Sequence, residues 1–131
     1  MKLKFDIDIG LLILRLSSAG MMLFGHGWMK FLNLSTGVTK FPDPLGIGST
    51  FSLILTVFAE FFCSLLIMVG FKTRLASIPL LATMLVAAFV VHGGDPWKKK
   101  EFALLYGLQF AALIFTGAGK FSIDQFTKSR N

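Results

Sequence analysis

Cysteine, histidine, tyrosine and acidic side chains are all scarce in this chain, which holds one Cys, two His, one Tyr and seven Asp and Glu among 131 residues. A lone Cys63 rules out an internal disulfide and with it a small disulfide-stapled fold. The two histidines stand in HGWMK and HGGDP, which supply no H-x-x-x-H or similar ligand spacing, so no metal site is expected. Walker loop, dinucleotide fingerprint and nucleophile elbow are all missing, and no motif names a complete catalyst. Charged residues are few as well, 15% against 54% hydrophobic, and the mean hydropathy is +0.72. A soluble domain of this length needs polar surface on about half of its residues. The composition therefore predicts an all-α integral membrane protein, one membrane domain over residues 1–131 with no room for a second.

What is present is a set of long apolar runs separated by short polar islands. A run of about 20 apolar residues rising about 1.5 Å each matches a hydrocarbon core about 30 Å thick. On this measure the sequence predicts a four-helix membrane bundle with helices over about 9–31, 50–71, 75–91 and 102–116. Lys2 and Lys4 precede the first run as an n-region precedes an h-region. Arg15 interrupts that run, however, and it continues through Phe24 without an A-x-A-like cleavage site, so the segment is expected to stay as a helix. Gly20, Gly25 and Gly27 offer small surfaces on it for a neighbouring helix. The stretch NLSTGVTKFPDPLGIGS between the first two runs carries Pro42, Pro44, Gly46 and Gly48, which forbid a regular helix. Its Phe41, Leu45 and Ile47 suggest a loop folded back on the bundle mouth. After Gly117 the polar tail GAGKFSIDQFTKSRN is expected in or near the interface.

The net charge of +6 does not indicate nucleic acid, because the basic residues stand in islands beside apolar runs, where cytoplasmic loops and anionic headgroups account for them. Four spans put both termini on one side. Seven lysines and arginines flank the segments on that side and five on the other, a bias that places both ends in the cytoplasm of a bacterial inner membrane.

Polar residues inside the runs carry the functional argument. A charge near mid-bilayer costs a few kcal/mol or more unless paired. Arg15 in the first helix and Glu60 in the second are therefore expected to form an ion pair facing the bundle interior, as a structural lock or as a ligand-responsive polar site. His26, Lys30, His92 and Glu101 are expected near the opposite face, in one vestibule. Arg15, His26 and Lys30 are separated by 11 and 4 residues, steps that return to nearly one helix face. Trp28 and Trp97 mark the interface there. Imidazole titrates near neutral pH, so proton exchange with a quinone-like ligand is the favoured chemistry. Cys63 reads as packing.

Taken together, these motifs resemble the DoxX family of small four-helix bacterial membrane proteins. The likeness rests on LLILRL around Arg15, FGHGWMKF from Phe24 to Phe31, PDPLGIG from Pro42 to Gly48 and FAEFF around Glu60. It continues through GFKTRLASIPL from Gly70 to Leu80, His92, EFALLYG from Glu101 to Gly107, and TGAGKFSID from Thr116 to Asp124. Ala118 departs from the proline the family often carries there. The resemblance implies association with redox enzymes, among them a thiosulfate:quinone oxidoreductase and membrane complexes tied to oxidative-stress defence. It implies a site role for Arg15, His26, Lys30, Glu60, His92 and Glu101; His26, Glu60, His92 and Glu101 are expected as the catalytic or proton-handling groups and Arg15 and Lys30, together with the interfacial Trp28, as the residues that meet a quinone, with the lipid bilayer and protein subunits of a redox complex as partners. The rival expectation is a non-catalytic scaffold whose buried charges only specify helix packing. Transport of a small solute is a weaker third, because four short helices enclose little volume.

Overall fold

A computed structural model describes residues 1–37 and 40–130. The parts of the loop and tail expectations that fall on Val38, Thr39 and Asn131 lie outside the described residues. Every regular element among the described residues is helical. Helix α1 spans Lys2–Ser35, α2 Ser49–Val69 and α3 Thr73–Val91, and these three are long and apolar enough to cross a membrane. Helix α4, Trp97–Thr116, is of similar length at 20 residues but opens on Lys98, Lys99, Lys100 and Glu101. A short α5, Ile123–Lys128, follows a turn.

The apolar runs locate the helices, and the ends differ from expectation for identifiable reasons. Helix α1 begins at Lys2, not near Ile9, because MKLKFDID is free of helix breakers and continues the same turn. Helix α4 begins at Trp97, five residues before the apolar run, since Pro96 supplies an extended residue ahead of it and Lys and Glu are good helix formers. Helix α2 stops where Gly70 takes the left-handed conformation, φ 73°. There Phe71 N–H donates to Leu66 O (2.9 Å) and Gly70 N–H to Ile67 O (3.0 Å), a Schellman closure that a residue with a Cβ adopts at a cost.

Three of the helices contain π-helical turns, at Leu23–Gly27, Phe58–Cys63 and Ala87–Val91. Such turns insert one extra residue per turn and are frequent at functional sites. The core has two parts. Ala19, Met22, Ile67, Leu80, Phe110 and Leu113 form the larger cluster. Leu23, Leu53, Val57 and Phe61 form the smaller one, onto which Phe41 packs from the loop. Leu45 and Ile47 of the same loop are exposed, so Phe41 alone of the three expected residues turns inward. The outward faces carry Phe24, Leu108 and Phe115, each about two-thirds exposed or more, an apolar exterior suited to lipid.

Candidate functional site

The two ionisable residues expected to pair inside the bundle have other partners. Gly27 on α1 and Glu60 on α2 touch through the backbone, so they lie at one level. Arg15 is twelve residues from Gly27, about 18 Å along the axis, farther than any side chain reaches. At its own level Arg15 meets the end of α2 and the chain after α4. Its Nη1 donates to Ala118 O (2.5 Å), Nη2 to Phe121 O (2.7 Å) and Nε to Met68 O (3.3 Å), with the residue 2% exposed. The expected Arg15–Glu60 pair is therefore replaced by a guanidinium spread over three backbone carbonyls.

The same neighbourhood is laced by carboxylates that bind main chain. Asp124 accepts from Lys72 N–H (2.7 Å) and Thr73 N–H (3.0 Å), covering the first amides of α3, while its own N–H donates to Gly70 O (2.8 Å). Asp8 accepts from Lys120 N–H (3.0 Å). The segment from Gly117 to Asp124 is thus stapled to α1 and to the turn between α2 and α3. Arg74 adds a further tie, donating to Ile114 O and Thr116 O at the end of α4.

Glu60 is paired with Lys30. Lys30 Nζ lies 2.5 Å from Glu60 Oε2, with the carboxylate side chain 4% exposed and the lysine 26%. Two local features produce this contact. Gly27, one turn before Lys30, lets the α1 backbone rest on the Glu60 carbonyl, and the lysine stem then runs over Phe41, its Nζ 6.0 Å from the ring centroid. On the residues next to the pair in sequence, Phe31 stacks on Phe61 at 4.3 Å between centroids, with Phe62 packed against both rings and Trp28 against Phe61. With the carboxylate nearly out of solvent, the pair is screened less than one at the surface.

His26 stands one turn before Lys30, half-buried, its ring 5.8 Å from Phe102 and 5.7 Å from Tyr106. Neither the His26 ring nitrogens nor the Tyr106 hydroxyl has a hydrogen-bond partner among the described residues, and Tyr106 lies within the field of the Glu60 carboxylate. Tyr106 is the chain's one tyrosine, set in the apolar run FALLYGL. That polar tip at bilayer depth was the available signal, and motif reading passed over it.

No ion pair among the described residues joins His26, Lys30, His92 and Glu101 to one another. His92 Nδ1 donates to Asp95 (2.7 Å) in its own turn, where Lys99 also approaches at 3.7 Å. The hydrogen bond from His92, with the charges of Lys99 and His92 behind it, holds the Asp95 carboxyl below its usual value. Glu101 is exposed and makes no ion pair or hydrogen bond among the described residues. Trp28 is 44% exposed beside Phe61. Of the expected group, then, Lys30 meets Glu60 directly and His26 stands one turn away beside Tyr106, while His92 pairs with Asp95 in its own turn.

A family model described as DoxX matches residues 10–93. An uncharacterized membrane protein of Mycobacterium tuberculosis is 31% identical over 74% of this chain and 75% of its own length. An uncharacterized protein of Haemophilus influenzae is 32% identical over 87% of each chain. No solved structure gives a significant match.

Proposed function

The chain belongs to the DoxX family of membrane proteins, and from that premise we propose that it is a four-span inner-membrane subunit, both termini cytoplasmic, that contributes a quinone-facing, proton-handling pocket to a redox complex. The observation that carries this reading is the Lys30–Glu60 pair, its carboxylate buried, with His26 and Tyr106 beside it, neither polar tip hydrogen-bonded among the described residues. Buried ion pairs are seldom kept for stability alone, because desolvation cancels much of their attraction.

The donor set suits a quinone: an imidazole and a phenol hydroxyl, able to meet a carbonyl oxygen, set among Phe102 and the other aromatic rings at lipid depth. When bound, such a ligand supplies two-electron, two-proton redox chemistry. The residues of this chain would hold its polar edge through His26 and Tyr106 and exclude water through the phenylalanines. Proton uptake on the free carboxylate oxygen of Glu60, coupled to release from Lys30 Nζ, would leave the pair neutral, and transfer from Glu60 to Lys30 would restore it.

Purification in mild detergent from native membranes, followed by mass spectrometry of copurifying proteins and extracted lipids, tests the proposal. Stoichiometric quinone that falls in Glu60→Gln and His26→Ala supports it. A stable partner without quinone, with the partner's activity unchanged in both variants, would leave a scaffold instead. The specific observation on the scaffold's side is Arg15, whose three hydrogen bonds all serve backbone carbonyls.

A further inference from the structure

At the end of the molecule opposite to the Lys30–Glu60 pair, the start of α1, the start of α3 and the tail enclose an open groove of about 1070 Å³. Six cationic side chains line it: Lys2, Lys4, Lys72, Arg74, Lys120 and Lys128. Its two carboxylates, Asp8 and Asp124, are already engaged by the backbone amides of Lys120, Lys72 and Thr73. None of the six cations forms an ion pair among the described residues, where the ion pairs are those of Lys30, His92 and Lys99. Arg74 covers the last carbonyls of α4, which removes the negative end of that helix from the groove. The Thr73 side chain in the groove's lining is fully buried, and its hydroxyl has no hydrogen-bond partner among the described residues. Two apolar side chains of the lining, Phe5 and Leu75, are 50% and 62% exposed.

We propose that this groove binds a phosphate headgroup, and that the source is an anionic phospholipid. The six cations outnumber the two carboxylates, which leaves net positive charge inside a concavity, and a phosphate provides both the charge and the acceptor oxygens that several lysines can share. Phe5 and Leu75 favour the lipid over free phosphate, since they offer the acyl and glycerol portions an exposed apolar surface. The volume exceeds that of a simple ion site and accommodates a headgroup with its glycerol.

The test is native mass spectrometry of the full-length protein in detergent, with phosphatidylglycerol and phosphatidylcholine of matched chains as probes. Phosphatidylglycerol adducts should exceed phosphatidylcholine adducts, and the triple variant Lys72→Gln, Lys120→Gln, Lys128→Gln should reduce them about tenfold or more. These lysines are exposed, so the variant folds. The matched variant Lys98→Gln, Lys99→Gln, Lys100→Gln removes equal charge from the other end and should leave the adducts unchanged. Equal loss in both variants, or no preference between the two lipids, overturns the site. Adducts that persist in excess inorganic phosphate support the lipid; displacement by phosphate overturns the lipid as the source.

Discussion

Gly27 of α1 rests on the main chain of Glu60 in α2: a Cβ at position 27 would stand 2.3 Å from the Glu60 carbonyl oxygen and 2.9 Å from the Phe61 nitrogen. Both obstacles are backbone, so neither can swing aside as a long side chain would. Gly27→Ala must push the two π-helical turns apart, at a cost of about 1–3 kcal/mol or more. Gly25→Ala is the control, because nothing lies within 4 Å of a Cβ there and alanine favours helix. Thermal melting in detergent should separate the two, with a lowered midpoint for Gly27→Ala alone.

The same contact sets the height at which Lys30 meets Glu60, and it fixes what happens when one partner is removed. Lys30→Met leaves a carboxylate 4% exposed without its cation, which should cost about 3 kcal/mol, the lower part of the range for a broken buried pair because the lysine is partly exposed. The double variant Lys30→Met, Glu60→Leu removes both charges and should recover much of that loss. If the double variant is no more stable than Lys30→Met alone, the pair is not the source of the effect.

Arg15 presents a different case, since its partners are carbonyls of the segments it holds together. Arg15→Lys keeps the charge but lacks the fork that reaches Ala118, Phe121 and Met68 at once. Hydrogen bonds to charged groups are worth about 1.5–3 kcal/mol each, so even partial loss should loosen the tail. Limited trypsinolysis at Lys120 should quicken in Arg15→Lys and more so in Arg15→Ala, while cleavage at Lys98 to Lys100 stays at its original rate.

How much of this was legible follows from the kind of partner each residue has. The apolar runs revealed where the long helices lie, because their signal is carried by side chains in sequence. The early start of α1 and α4 was hidden by Lys2, Lys4 and the run Lys98 to Glu101, which read as flanks although charged residues sustain a helix well. The partners of Arg15 could not be read at all, since carbonyl oxygens carry no side-chain signature. The expected pair also fails because the two residues lie at different levels: seven residues of α1 run beyond Ile9, and α2 ends at the Arg15 level. Lys30 and His26 were recognised on one face, and the missing step was that this face looks down to Glu60.

Asp43 shows how the loop between α1 and α2 is held and how pH should release it. Its carboxylate accepts from Gly48 N–H (2.8 Å), from the Ser52 hydroxyl (2.8 Å) and from Ile47 N–H (2.9 Å), binding the loop to the first turn of α2. The Gly48 amide and then Ser52 are the main causes that depress its pKa below the ordinary 3.8. A carboxyl depressed in the folded state contributes stability that is complete above its unfolded pKa and is lost as pH falls through the folded one. Hydrogen exchange of the Ile47 and Gly48 amides should therefore stay slow through pH 3.8 and quicken only below it. In Asp43→Ala both amides should exchange fast at every pH. Quickening centred above pH 3.8 in the unmodified protein would show that another group holds the loop.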